Sequence, residues 1–239
     1  MSGDASGPNA PVEHSVGDGV FVVGTDTGVG KTVVTAGLTG WLRERGRDAV
    51  AVKPCQTGHP PDDDAGVVAS VCGTDDAAVC LRRLEPPLAP AVAATETGEP
   101  LAYDDIRGGV TDTVDACETA VVEGIGGLRV PLADGKEVLD LVADAALPAL
   151  VVARSDLGTL NHTALTVRAL RDRGVPVVGV VCNQYEGATT AERTNPGVIE
   201  RMTDCPVWTV PPLDTTSGER VVDGIRENLP ASLLGGTAE

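Results

Sequence analysis

Residues 20–32 read Val20-Phe21-Val22-Val23-Gly24-Thr25-Asp26-Thr27-Gly28-Val29-Gly30-Lys31-Thr32. A short β-branched run feeds a glycine-rich turn that closes on Gly-Lys-Thr, and a helical pattern follows. Parts in that order make a phosphate-binding loop. The N–H groups of the turn converge on an anion, and the helix N-terminus adds the positive end of its dipole. Lys31 is placed to reach the β- and γ-phosphates, and the Thr32 hydroxyl to hold Mg²⁺. Thr27, Gly28, Val29 and Gly30 complete the cradle. The common loop has glycine at the position of Thr25; here the nearest glycine is one residue earlier, Gly24. The chain is expected to bind a nucleoside triphosphate.

Outward from the loop, apolar runs alternate with helical patterns. Strands are expected at 20–24, 49–53, 119–123, 149–153, 177–182 and 207–210, and helices at 31–45, 62–72, 104–116, 136–146, 160–173, 190–202 and 219–229. This alternation predicts an α/β fold: one domain over 19–239 with a mostly parallel sheet flanked by helices, the fold of phosphate-loop NTPases. Residues 1–18 are rich in Gly, Ser, Pro and acid and read as a tail. Residues 73–103 carry no clear strand and read equally as a covering segment or a connector, with a proline-rich centre at Glu85-Pro86-Pro87-Leu88-Ala89-Pro90.

Hydrophobic content is 42% and aromatic content 2%, so the core is built from Val, Ala and Leu, which suits a parallel sheet covered on both faces. The formal charge is −17, with 35 acids against 18 bases. Such a chain repels nucleic acid and anionic membranes. The lysines are Lys31, Lys53 and Lys136, so two of the three follow apolar runs instead of decorating a polar surface. Six cysteines show no C-x-x-C spacing and read as reduced, buried thiols of a cytoplasmic protein. The three histidines form no metal-ligand pair, and residues 1–18 hold no apolar stretch of the signal-peptide kind.

Charged residues recur at the ends of the expected strands. Lys53 ends the second strand, and Pro54 stops it. A second cation beside Lys31 suits phosphoryl transfer, whose transition state spreads negative charge over the γ-oxygens. Asp62-Asp63-Asp64 opens a helix, where carboxylates are favoured by the dipole; one of them could also ligate Mg²⁺. Glu123 closes an apolar strand and precedes Gly124-Ile125-Gly126-Gly127, the expected position of a Mg²⁺ ligand with backbone free to approach a nucleotide. Leu157-Gly158-Thr159-Leu160-Asn161-His162 opens another helix and offers N–H groups to an anion.

Taken together these segments resemble the dethiobiotin synthetases, ATP-dependent enzymes of biotin synthesis. The resemblance runs from about residue 20 to about 215 through four ordered motifs: the phosphate loop, Lys53-Pro54 with Gln56-Thr57-Gly58, Val122-Glu123-Gly124 with Gly126-Gly127, and Leu157-Gly158 with Asn161-His162 and Leu165-Thr166. Val181-Cys182-Asn183 matches the family segment that recognises adenine, and Pro211-Pro212-Leu213-Asp214 its adenine-side loop. Where many members carry an acid this chain has Gly28, and where they have Ser-Pro-His it has Ala89-Pro90-Ala91.

The resemblance implies that 7,8-diaminopelargonate, CO₂ or bicarbonate, and ATP are converted to dethiobiotin through a carbamate and a carbamic–phosphoric anhydride. It implies Lys53, Lys31 and Thr57 as the catalytic set. Thr32, Asp64 and Glu123 become the Mg²⁺ ligands. Thr27 to Thr32, Glu123, Gly126, Asn183 and Pro212 become nucleotide contacts. Thr57 and Gly158 to Asn161 contact substrate, the latter from the second subunit of a homodimer. Two rivals keep the phosphate loop. One is an amidoligase of cobalamin synthesis, which usually carries a glutaminase domain. The other is a partition-type switch ATPase, which usually has a lysine near the start of the loop, where this chain has Thr25-Asp26-Thr27.

The charge of −17 exceeds the magnitude of about 2–8 usual for a small soluble domain, and with so few lysines it reads as adaptation to high salt, the alternative being an acidic protein of a mesophile. The Debye length falls from about 30 Å at 0.01 M to about 3 Å at 1 M, so salt silences repulsion that compact folding concentrates. The melting temperature is therefore expected to rise with KCl from about 0.05 M into the molar range. A flat or falling curve in differential scanning calorimetry would refute the salt adaptation.

Overall fold

The structure is a computed structural model that describes residues 18–235. Seven apolar segments form the main sheet: β1 (Gly19–Gly24), β2 (Ala49–Lys53), β3 (Ala78–Cys80), β4 (Thr119–Gly127), β5 (Ala149–Arg154), β6 (Val177–Asn183) and β7 (Val207–Thr209). Their order is β7-β6-β5-β1-β4-β2-β3, and every pairing is parallel. The connections supply eight helices: α1 (Lys31–Glu44), α2 (Asp64–Cys72), α3 (Pro90–Thr97), α4 (Tyr103–Ala116), α5 (Val138–Asp144), α6 (Thr159–Asp172), α7 (Thr190–Thr203) and α8 (Gly218–Asn228).

Both sheet faces are covered, which is why the strands are apolar throughout. All six residues of β1 are buried. Phe21 and Val23 enter one core layer with Ile106, Leu141 and Leu170 from α4, α5 and α6. Val20 and Val22 enter the other with Leu38 and Leu42 of α1 and Ile225 of α8. Because β1 is central and its neighbours are β4 and β5, the strand order reverses beside it. Parallel α/β sheets bind ligands at the carboxyl edge of such a switch point.

Three expectations need correction. The stretch 73–103 does contain a strand: β3 pairs with β2 as the sheet edge, Arg83–Leu84 pairs with Gln56–Thr57, and α3 follows. Three residues are too short to show a period, so the strand is set by its partner. The helix expected at 136–146 begins only at Val138, because Lys136 and Glu137 form a two-stranded ribbon with Pro131–Ala133. The helix expected from 62 starts at Asp64, with the Asp63 carboxylate capping it by accepting from Gly66 N at 3.1 Å. Of the tail read at 1–18, only Asp18 is among the described residues, and its carbonyl accepts from Ala120 N.

Helices α1 and α8 meet where α1 lacks a side chain. A Cβ on Gly37 would lie 2.8 Å from Ile225 Cβ and 3.2 Å from Val221 O. Alanine is favoured over glycine in a helix by about 1 kcal/mol. Overpacking costs about 1–3 kcal/mol. Gly37→Ala is therefore expected to lower the melting temperature; a rise would show that α8 slides freely away from α1.

Candidate active site

β1, β2, β4 and β5 end at one edge of the sheet, and the phosphate loop lies across it. Gly24 closes β1 beneath Lys31: a Cβ there would sit 2.8 Å from Lys31 Nζ and 2.8 Å from Asp26 O. The lysine stem passes over this residue, which accounts for a glycine one position earlier than the common loop has it. Gly28 and Gly30 have φ of 72° and 93°. This left-handed region disfavours residues with a Cβ. Val29 between them buries its side chain in the core, leaving only its backbone to the loop. From below, the buried Asn183 at the end of β6 donates Nδ2 to Val29 O at 3.0 Å. Lys31 Nζ donates to Asp26 O at 3.1 Å.

Lys53 ends β2 and is 6% exposed. Its ammonium donates to Glu123 Oε1 at 2.9 Å and to Gly124 O at 3.3 Å, and it pairs with Asp64 at the first turn of α2. The Thr32 hydroxyl donates to the same Glu123 oxygen at 2.9 Å. Gln56 locks this geometry: its Oε1 accepts from Asp64 N and its Nε2 donates to Thr57 O, both at 3.0 Å. The three proposed Mg²⁺ ligands are thus gathered around one ammonium. Two carboxylates and a hydroxyl are hard oxygen donors, a set that suits Mg²⁺ completed by phosphates and water.

The electrostatics follow burial. Burial pulls Lys31 down to about 8, and the neighbouring Lys53 adds to the effect against the pull of Glu123 and Asp64. Burial also opposes the charge on Lys53, but Glu123 and Asp64 outweigh it and hold the ammonium above its usual range. Glu123 is raised by burial, which Lys53 only partly offsets. Asp64, less buried, is lowered by Lys53 in spite of its own burial. Cys55 borders the cleft, yet burial pushes its thiol up to about 12, so it is neutral and not a nucleophile near neutrality.

These groups line a cleft of about 760 Å³ together with Thr27, Gly28, Gly30, Thr57 and Gly126. Pro87, Leu88 and Ala89 form part of its wall, so the proline-rich segment covers the cleft instead of merely connecting strands. Among the acids at the start of α2, Asp62 faces the cleft and Asp64 reaches Lys53, while Asp63 serves as the cap.

The remaining sequence-derived residues lie elsewhere. Thr159 lines a smaller cavity with Thr25, Asp26, Arg154, Asp156, Leu157 and His162; Gly158, Leu160 and Asn161 line neither this cavity nor the cleft. Pro212 is exposed on the segment after Val210, which is bonded to Tyr185 just past Asn183. All six cysteines are free, but Cys72, Cys80 and Cys117 are only half-buried, short of the full burial expected.

Two groups were missed. Gln56 stands in the Lys53 motif, but no pattern in the sequence gives it a role. Arg154 ends β5 as Lys53 ends β2, and its Nη2 donates to Thr27 O at 3.2 Å. A charge closing an apolar strand at the same sheet edge was the signal that could have found it.

A family model described as an AAA domain matches residues 18–220. The chain is 62% identical over 209 residues to the ATP-dependent dethiobiotin synthetase BioD of Haloferax mediterranei, covering 87% of this chain and 90% of that protein. It is 34% identical to the protein of the same name from Bacillus subtilis subsp. natto, covering 90% and 96%. Among solved structures, the septum site-determining protein MinD of Pyrococcus horikoshii, complexed with Mg-ADP, aligns with a TM-score of 0.53 at 16% identity over 86% of this chain and 85% of that one. A ParA family ATPase from Chlorobium tepidum aligns with a TM-score of 0.54 at 13% identity over 90% and 93%. The structural likenesses establish the phosphate-loop fold, and the sequence identities go further: this chain belongs to the family of ATP-dependent dethiobiotin synthetases.

Proposed function

We propose that the chain carries out ATP-dependent carboxylation and ring closure of 7,8-diaminopelargonate with CO₂, giving dethiobiotin, ADP and phosphate. The observation that carries this reading is the buried Lys53 ammonium beside Glu123 and Asp64, in one cleft with Lys31 and a phosphate loop.

One amine of the substrate forms a bond to CO₂ and loses a proton, giving a carbamate. A carbamate oxygen then attacks the γ-phosphorus, the bond to the β-phosphate oxygen breaks, and ADP leaves. The second amine attacks the carbonyl carbon of the anhydride, loses its proton and expels phosphate, closing the ureido ring. The second step joins two anions. Unit charges of like sign 4 Å apart repel by about 4 kcal/mol at an effective dielectric constant of 20. Lys31 and Lys53 meet that repulsion on the protein side. Thr57, half-buried and held by Gln56 through its carbonyl, offers a hydroxyl to the carbamate. Bound Mg²⁺, held by Thr32, Asp64 and Glu123, would supply further charge neutralisation at the phosphates.

The helix start at Gly158–Asn161 is the proposed site for the substrate carboxylate, contributed by a second copy of the chain. Within one subunit none of its residues lines the cleft, and Leu157 and Leu165 beside it are 89% and 62% exposed. An exposed apolar pair flanking a polar helix start suits a homodimer contact. No helix among the described residues is long and apolar enough to cross a membrane. Free thiols and the acidic surface fit a cytoplasmic protein that binds neither nucleic acid nor membrane.

The direct test is incubation of the chain with MgATP, bicarbonate and diaminopelargonate in molar KCl, with mass detection of the cyclic urea. Absence of that product, while ATP is bound, would refute the reading. Lys53→Ala is expected to lower kcat by on the order of 10²–10³, the usual size of a preorganised transition-state contact. It also leaves two carboxylates without their cation, so turnover is compared well below each variant's melting temperature. Near-wild-type kcat would remove Lys53 from the chemistry.

Asp64→Asn is expected to raise the Mg²⁺ concentration for half-maximal rate by at least roughly tenfold, the lower end for weakened metal sites. Asp62→Asn should leave it unchanged. An equal shift in both, read from Mg²⁺ titrations of initial rate, would assign the ligand differently.

A further inference from the structure

We infer that Arg154 binds a carboxylate-class group of the substrate beside Gly28. This rests on the proposed function and adds a ligand to it.

Arg154 closes β5 at the sheet edge that carries Lys53 and Glu123. Its guanidinium reaches the phosphate loop and donates Nη2 to Thr27 O at 3.2 Å. Thr27 and Gly28 line the main cleft, while Arg154 lines the smaller cavity behind them, so it stands at the wall between the two. Gly28 opens that wall. A Cβ built there meets Arg154 Nη2 alone, at 3.8 Å. Any side chain at 28 would contact the guanidinium, and an acid would capture it. With glycine the fork stays available.

Its lack of an ionic partner is notable in this chain. Acids outnumber bases 35 to 18, yet Arg154 forms no ion pair among the described residues. The acids of its own cavity do not take it: Asp26 accepts from Thr27 N at 2.7 Å, and Asp156 makes no pair with it. One of its five N–H donors is engaged on a carbonyl.

The cleft has use for another cation. Its lysines, Lys31 and Lys53, face Asp62, Asp64 and Glu123, and both ammonium groups are already bonded to the protein. A nucleotide and an anionic co-substrate add more negative charge. The phosphates have the loop N–H groups and the two lysines. What remains unmatched is the planar anion of the co-substrate, and Thr27 and Gly28 are the part of the cleft lining against which Arg154 stands. A guanidinium fork matches the two oxygens of a carboxylate or carbamate, which an ammonium does not.

The carboxylate-class group is the carbamate or, in place of the Gly158–Asn161 helix start, the terminal carboxylate of the diamine. The test is calorimetric binding of 7,8-diaminopelargonate, with bicarbonate, to the full chain loaded with a non-hydrolysable ATP analogue. Wild type, Arg154→Gln and Arg154→Lys are compared. Arg154→Gln is expected to weaken diamine binding by on the order of 10–100-fold, the size of a charge-assisted hydrogen bond. Arg154→Lys should lie between, because it keeps the charge and loses the fork. Affinity for the ATP analogue and the melting temperature should be unchanged.

The same comparison with 2,3-diaminononane, which carries a methyl group in place of the terminal carboxylate, separates the sources. A loss that persists assigns Arg154 to the carbamate, and a loss that vanishes assigns it to the terminal carboxylate. Unchanged diamine affinity overturns the inference. So does an equal loss for the ATP analogue, which would make Arg154 a brace of the phosphate loop. Wild-type protein that binds the analogue but no diamine overturns the functional reading itself, and this is seen before any variant is made.

Discussion

The site depends on one ammonium shared by two carboxylates. Lys53, Glu123 and Asp64 come from three elements, β2, β4 and α2, and converge at the sheet edge, where Lys53 and Glu123 are buried and Asp64 is half-buried. Buried charges persist only when paired, and removing one partner of such a pair typically costs about 3–5 kcal/mol. The cluster is therefore a constraint on the fold as well as part of the chemistry. It pins the start of α2 to the sheet edge, and Gln56 makes that attachment rigid through the Asp64 amide. One ammonium between two carboxylates leaves an excess of negative charge, which Thr32 meets with a hydroxyl proton.

That convergence is a product of topology. In a parallel sheet every strand ends at the same edge, so residues 70 or more apart in sequence become neighbours without a special loop. Lys53 and Glu123 are 70 positions apart and Thr32 and Glu123 are 91 apart. The strands need only be apolar up to their last residue and charged there. β2 ends in Lys53 and β5 in Arg154, while β4 carries Glu123 at mid-strand before its glycines. The phosphate loop then needs support from beneath, which the Asn183 carboxamide gives through Val29 O.

This explains what could be read from the sequence. Strands β1, β2 and β4 to β7 were legible because a buried parallel strand is a short apolar run between turn signals, though β4 runs past the end expected at Glu123 to Gly127. Lys53 and Glu123 were legible as charges that terminate or interrupt such runs. The strand β3 was not, because three residues have no period and its existence is decided by β2. The residues alone did not separate Asp62, Asp63 and Asp64 into a cleft residue, a cap and a lysine partner; only the family resemblance singled out Asp64. Three adjacent carboxylates look alike until the helix start fixes which one turns inward. Arg154 carried the same signal as Lys53, a charge closing an apolar strand, but its contact with the loop at Thr27 and its place beside Gly28 appear only in the folded chain.

The fold and the chemistry are carried by different parts of the chain. At 13–16% identity the MinD and ParA structures share the fold with this protein, and a shared fold says nothing about the reaction carried on it. Much of the cleft lining comes from the segment between β2 and α3. Lys53, Gln56, Thr57 and Asp64 supply its polar groups, and Pro87 to Ala89 its apolar wall. Those residues meet because Arg83–Leu84 pairs with Gln56–Thr57, folding the proline-rich segment back over the strand end. A two-residue ladder is a weak attachment by itself, yet here both sides are anchored: Gln56 by Asp64, and Leu84 by its burial in the core. The proline-rich wall of the cleft is thus held through Gln56 by the same residue that pairs with Lys53, so the apolar wall and the ion cluster are tied together.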